Sequence, residues 1–387
     1  MKNEKNFSSI IYFAVFVVVI AFIGIRSYKN LVNFYINDEV DYNEWSADLG
    51  SKLETDIATT FFEKMSFVNI NGAVRNIFGQ QEMNGVIKLN NGYLFTTMPY
   101  IEDTVLQNYV NSISVLNNYM QNRGTKLVYA LTPYTSGKYD SQLPEGVEDY
   151  GNDNADRLMS MLDEADIDII DFREKMHDDG IDHYDMMYKT DHHWNTKAGF
   201  YAYEVLEDYV VNNTGCNVDK RISDLENYTV TIYKDWHLGS NGQRTGKYFA
   251  GVDDFELYIP NFETKIKNDA GAIGKMQDLV INTEPLVSKD YNSRYTYDHV
   301  LGKSLEHYVN LDCKNDLKIL LVTDSFGKAV APYLIMGFSE ISYVYDGNVS
   351  AITPDYIEAY DPDVVILLYY TQNAMEAGAY TFQGFSS

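Results

Sequence analysis

Three stretches of this chain stay apolar where an exposed strand would alternate: KLVYALTP (126–133), LKILLVTD (317–324) and DVVILLYY (363–370). A strand with one face in water alternates apolar and polar residues. An unbroken run of this length therefore belongs to a strand buried on both faces, as in a parallel sheet covered by helices. IDIIDF (167–172) and ISYVYD (341–346) repeat the type more weakly. Helical patterns lie between them. Val105, Leu106, Tyr109, Val110, Ile113 and Leu116 recur near a 3.6-residue period and close at Gly124. A further helix is expected around 153–165, and KAGFYAYEVLEDYVV (197–211) reads as an amphipathic one. This alternation predicts an α/β domain with a mostly parallel sheet and helices on both faces. VIKLNNGYLFTT (86–97) predicts two short strands around an Asn-Asn-Gly turn. Residues 212–316, rich in Tyr, Asn and Asp, read as an inserted lobe lining a substrate surface.

The N-terminus follows a different rule. Phe7 to Ile25 is an uncharged run, FSSIIYFAVFVVVIAFIGI, which as a helix reaches about 28 Å, close to the thickness of a bilayer's hydrocarbon core. Lys2 and Lys5 precede it and Arg26 and Lys29 follow, and no small-residue cleavage site comes after it. An uncleaved anchor is expected, with residues 1–6 as a cytoplasmic tail, 7–25 as the span, 26–80 as helical stalk and 81–387 as the outward-facing domain. The formal net charge of −26 excludes nucleic acid as a natural partner, since such binding rests on Lys and Arg neutralising phosphates. The 33 tyrosines suit strands first and sugar-binding surfaces second. Cys216 and Cys313 are the two cysteines; they form no CxxC motif, and pairing and two separate thiols both stay open.

Two short motifs carry chemistry. In LKILLVTDSFGKAVAPYLI (317–335), Asp324 and Ser325 stand where a buried strand gives way to a helix, the end of an open α/β sheet at which active sites form. A serine there presents its hydroxyl above the sheet, and its own N–H can serve as an oxyanion donor. Taken alone, Asp-Ser at this place is more often a plain helix cap. The second motif is TDHHWNTKAGFYAYEVL (190–206). A serine becomes a nucleophile when a base takes its proton, and a carboxylate orients that base. Asp191, two residues before His193, can grip one imidazole nitrogen while the other faces a serine, with His192 pointing elsewhere. A surface turn with Asn195 or Thr196 capping the next helix is an equal reading of this motif alone.

Together, DHHW (191–194) and the downstream TDSFG (323–327) resemble the bacterial DHHW family, which is similar to the SGNH-like proteins that O-acetylate alginate and other exopolysaccharides outside the cytoplasmic membrane. The likeness extends through NINGAVRNIFGQQEMNGVIKLNNGYLF (69–95), LTPYTSGKYDSQLP (131–144) and MMYKTDHHWNTKAGFYAY (186–203). It implies an SGNH-hydrolase-like three-layer αβα sandwich, with Ser325 as nucleophile, His193 as general base and Asp191 as its orienter. Thr323 stands where ordinary GDSL esterases have Gly, and YYTQNAM (369–375) where the alginate-type proteins tend to carry a Glu-Arg pair. Trp194, Tyr370, Gln372 and Asn373 are the candidate substrate contacts, although core packing is the ordinary fate of such a Trp.

The expected activity is acyl transfer through Ser325 to a hydroxyl of a cell-surface or extracellular polysaccharide, without cofactor. The resemblance further implies a membrane-embedded acyl-transfer partner. Three rivals stand beside it. An esterase would use the same triad with water as acceptor. A non-catalytic glycan-binding protein would use the Tyr-rich lobe. A metal site would draw on His177, His183, His192 and His193 among Asp178, Asp179, Asp182, Asp185 and Asp191, but these lack any fixed metal-ligand spacing, and no metal is expected.

Overall fold

The computed structural model describes residues 2–37, 56, 57, 60–291, 295–301 and 307–385. Thirteen strands are found among them: β1 (Glu82–Met83), β2 (Val86–Lys88), β3 (Leu94–Phe95), β4 (Lys126–Thr132), β5 (Asp168–Asp171), β6 (Tyr228–His237), β7 (Asp253–Pro260), β8 (Ile266–Asn268), β9 (Ile273–Gly274), β10 (His307–Asn310), β11 (Lys318–Thr323), β12 (Glu340–Tyr345) and β13 (Val364–Tyr370). The main sheet has the order β5-β4-β13-β11-β12-β10-β8-β9. Pairing is parallel from β5 through β12 and antiparallel beyond it. The three unbroken apolar runs are three adjacent strands of its parallel part, β4, β13 and β11. All seven residues of β13 are buried, as a strand covered on both faces requires.

The helices are α1 (Lys2–Asn37), α2 (Lys64–Ile77), α3 (Asp103–Arg123), α4 (Gly151–Glu164), α5 (Phe172–Asp178), α6 (Thr196–Thr214), α7 (Ser240–Thr245), α8 (Lys247–Ala250), α9 (Met276–Val280), α10 (Thr296–Val300), α11 (Gly327–Gly337) and α12 (Pro354–Tyr360). Helix α3 buries Leu106, Tyr109, Val110, Ile113 and Leu116 and ends on Gly124 in the left-handed conformation, φ 79°, where a residue without a Cβ is unstrained. α3 packs on α4 and β4, and α6 packs on α11. Pro332 sits inside α11, all of whose residues except Lys328 are buried.

Residues 212–316 do two things. β6 and β7 form a separate antiparallel ribbon, while β8, β9 and β10 extend the main sheet. Within α1, Ile11–Phe34 is long and apolar enough to cross a membrane, with a mean hydropathy of 2.1 and no part buried against the domain. It runs further toward the domain than the expected 7–25. Of the stalk expected over 26–80, residues 38–55, 58 and 59 lie outside the described residues. Cys216 and Cys313 are free, half-buried thiols.

Candidate active site

β11 ends at Thr323 and α11 begins at Gly327, so Asp324, Ser325 and Phe326 form the whole connection. Asp324 is fully buried and fixes this turn. One of its carboxylate oxygens accepts the Phe326 N–H at 2.9 Å, the other the Tyr370 N–H at the end of β13, at 2.6 Å. Burial raises the Asp324 carboxyl to about 7 against the pull of those two donors. The Tyr297 hydroxyl donates to the Ser325 carbonyl at 3.0 Å, and the Trp194 indole N–H to the Phe326 carbonyl at 3.0 Å. The turn is thus held by groups from α10, β13 and the DHHW loop. Ser325 itself stays partly exposed. Among the described residues its N–H carries no hydrogen bond.

The DHHW loop comes at this turn from the N-terminus of α6, whose cap is Asn195, accepting the Ala198 N–H. His193 Nε2 lies 2.6 Å from Ser325 Oγ, and His193 Nδ1 lies 3.3 Å from Asp191 Oδ2. The second contact is close, yet its alignment falls short of a hydrogen bond, and Nδ1 has no other partner. Such contacts are often long when no substrate is bound. The His193 ring stacks on Tyr297, centroids 4.2 Å apart. Burial pushes its imidazole below the ordinary value, His192 pushes the same way, and Asp191 pulls against both.

Asp191 is the most heavily bonded group in the site. Burial alone would raise its carboxyl, but the charge of His193 and the close approach of the His193, His192 and His237 imidazoles outweigh it and hold it well below the usual carboxylate range. Oδ1 accepts the His192 N–H at 2.8 Å and the Ser240 hydroxyl at 2.8 Å; Oδ2 faces His237 Nε2 at 2.9 Å. His192 does not point away as expected. Its Nδ1 lies 3.1 Å from Asp191 Oδ1 and 2.9 Å from Ser240 Oγ.

Asp191, His192 and His193 bring potential ligand atoms within 4.8 Å of one another. Asp191 Oδ1 and His192 Nδ1 are already engaged by Ser240, and His193 Nε2 by Ser325. His177 instead stacks on Tyr139 at 3.7 Å, and the half-buried His183 Nε2 lies 3.1 Å from the Thr135 carbonyl.

The four expected substrate contacts separate. Trp194 is wholly buried, edge-on to Phe172, and holds the serine turn; no face of it is open to a sugar. Tyr370 is also buried, stacked on Phe326 at 4.4 Å. Gln372 and Asn373 stay half-exposed, and Asn373 donates to Asp346 at 3.0 Å. The Tyr345 phenol, pushed up to about 12 by burial, feels the Ser325 hydroxyl. His237, Ser240 and Tyr297 escaped the sequence reading. His237 lies 46 residues from Asp191 at the end of the β6 ribbon strand, and no spacing announces it.

A serine on a strand-to-helix turn, a histidine at hydrogen-bond distance and a buried carboxylate behind it form an arrangement able to support nucleophilic acyl transfer. Residues 86–220 match the family model described as the SGNH hydrolase-like domain of the acetyltransferase AlgX. The domain has an SGNH hydrolase-like fold. Solved structures agree on the fold. PatB1 of Bacillus cereus superimposes at a TM-score of 0.62, with 20% identity over 77% of this chain and 99% of its own. The same protein with a sulfonyl adduct gives 0.62, with 18% identity over 78% and 99%. A DHHW family protein from Eubacterium siraeum gives 0.54, with 18% identity over 79% and 97%. No curated protein matches the chain. Within this SGNH-like domain the matched segment carries the Asp191–His193 loop, while Ser325 lies on the β11–α11 turn beyond it.

Proposed function

We propose that this chain is a membrane-anchored, extracytoplasmic serine O-acyltransferase that acetylates a cell-surface or extracellular polysaccharide. The observation that carries the reading is the 2.6 Å contact between Ser325 Oγ and His193 Nε2, with Asp191 behind the imidazole. Ser325 Oγ attacks the donor carbonyl as its proton passes to His193 Nε2. The oxyanion meets the Ser325 N–H, and Asp191 balances the imidazolium. The carbonyl–leaving-group bond then breaks, and the leaving group takes the proton. A sugar hydroxyl next gives its proton to His193, forms the new ester bond and releases Ser325, which recovers the proton.

The match to an acetyltransferase domain supports transfer over hydrolysis. The apolar helix α1 supports anchoring, with residues 7–25 inside the span and the domain outside. A membrane-embedded partner supplying acyl groups fits that placement. We assign Ser325 as nucleophile, His193 as base and Asp191 as orienter, with Gln372 and Asn373 at the acceptor rim.

The test is turnover of an aryl acetate by the full chain, with and without oligosaccharide acceptors. Ser325→Ala and His193→Ala are each expected to lower kcat at least a thousandfold, as loss of a triad member does. Acetyl transferred to the oligosaccharide supports the transferase. Acetate released equally with and without acceptor makes it an esterase. Variants as active as the parent would reject the triad.

A further inference from the structure

Helix α2 has two faces of different fate. Gly72 faces inward: a Cβ there would overlap the Thr245 carbonyl oxygen and press on Phe249, so α2 lies directly on α7 and α8. On the opposite side Phe67, Ile70, Val74 and Ile77 recur at spacings of three and four, and Phe78 extends the row. These residues are open to solvent, Ile70 by 62%, Ile77 by 80% and Phe78 by 76%. An apolar row of this length on a water-facing helix marks a contact surface.

The charge beside it is equally out of character. In a chain of net charge −26, residues 64–81 hold Lys64 and Arg75 and no Asp or Glu. A cavity of about 440 Å³ opens along the flank of α2 at Asn76, walled by Lys88, Lys189 and Lys247 together with Tyr248 and Phe249. None of these three lysines has a carboxylate partner within ion-pair distance among the described residues. Burial lowers the Lys88 ammonium and Lys189 adds to it.

Residues just before α2 are tied to the apolar N-terminal helix. Phe62 packs edge-on against Phe22 at 5.8 Å, its N–H donates to Ser27 Oγ at 3.1 Å, and Phe61 contacts Phe67 at 5.7 Å. The apolar surface of α1 therefore continues through Phe61 and Phe62 into the exposed row of α2. We propose that α2 lies in the interface of an anionic bilayer, with Phe67, Ile70, Val74, Ile77 and Phe78 among the upper acyl chains and Lys64, Arg75 and the three-lysine cavity over the lipid phosphates. This rests on the reading of α1 as a membrane span. It adds that the domain is seated on the membrane by a second, in-plane helix and is not held off on a free stalk.

The test uses the full chain carrying Ile77→Trp, reconstituted in vesicles of phosphatidylethanolamine and phosphatidylglycerol brominated on the upper acyl chain. The native tryptophans Trp45, Trp194 and Trp236 emit in both proteins, so the emission added by the new indole is taken as the difference from the parent in the same vesicles. That added emission is expected to fall by roughly half, and by less in phosphatidylcholine vesicles, where the headgroups carry no net charge. Adding Ile70→Glu, at an exposed site far from Ser325 in sequence, is expected to restore much of it while aryl acetate turnover stays intact. A chain that floats with vesicles while its added indole is unquenched overturns the seating of α2 and leaves the α1 anchor standing. A chain that does not float at all rejects the anchor itself. Protection of the three lysines from acetylation by soluble polygalacturonate, without any lipid quenching, would mark the surface as a groove for anionic glycan and overturn the proposal.

Discussion

The carboxylate of Asp191 serves three imidazoles and a hydroxyl at once, and this sharing decides how strongly it can act on His193. A carboxylate only accepts, so His237 must turn an N–H toward it from Nε2. That donor sits on Oδ2, the same oxygen that faces His193 Nδ1. Burial holds the His193 imidazole below its ordinary value. If His193 is the base, as proposed, it is already free at neutral pH, and kcat/KM should fall only as pH drops below about 6.5. Replacing His237 by Phe keeps a ring against Tyr188, whose centroid lies 4.5 Å away, but removes the competing donor. More of the carboxylate's charge then falls on His193, whose affinity for a proton rises. The acid limb of kcat/KM is expected to move upward by about half to one pH unit. A purely structural role for His237 would lower the amount of active protein and leave the limb where it is, so full pH profiles of both proteins decide between the two.

At the scale of elements, the distance between His193 and Ser325, the proposed base and nucleophile, is set by a helix crossing. His193 precedes α6 by three residues and Ser325 precedes α11 by two, so each segment travels with its helix. The helices meet where Gly199 faces Ala329, and a Cβ at Gly199 would overlap the Ala329 carbonyl. Gly199→Ala should force them apart at a stability loss of about 1–3 kcal/mol and lower kcat by up to about a hundredfold, since a displacement near 1 Å has that effect. Thermal melting and aryl acetate kinetics read the two separately. Asp324→Ala should leave the Phe326 and Tyr370 N–H groups without their acceptor, at about 1–3 kcal/mol each, visible as a lowered denaturation midpoint. Much of this architecture was legible in the chain. Unbroken apolar runs marked β4, β11 and β13 because burial on both faces leaves no other pattern, and Gly124 marked the end of α3 because only that position needs a left-handed backbone. DHHW and TDSFG pointed to Asp191, His193 and Ser325, which the fold brings together. Other features left no local trace. His237 and Ser240 reach Asp191 only through the folding of the β6–β7 ribbon and α7. Trp194 took the core packing that is the ordinary fate of such a residue, and Tyr370, a candidate substrate contact, is buried as well; nothing in a sequence tells which way an aromatic ring beside a motif will face. The strands β8 and β10, of three and four residues, are too short for periodicity to separate them from loop.

At the scale of the whole molecule, charge constrains the acceptor. A net charge of −26 surrounds the site with a field that repels polyanions and leaves neutral glycans untouched. The exception is the basic flank of α2, which under the membrane-seated reading faces lipid and is unavailable to polymer. Repulsion acts over the Debye length, about 30 Å at 0.01 M salt and about 8 Å at 0.15 M. For a neutral oligosaccharide acceptor, KM for acetyl transfer by the full chain should therefore be flat across that range. For a uronate oligomer of the same length it should fall severalfold as salt rises, because screening removes the penalty on approach. The opposite slope, with KM for the uronate rising with salt, would mean that attraction dominates at the site. The lysines beside α2 would then be reaching the acceptor, the domain could not be seated with them against lipid, and acceptor and membrane would be competing for one basic surface. Transfer kinetics on two acceptors at two salt concentrations thus report on the substrate and on how the domain sits over the membrane.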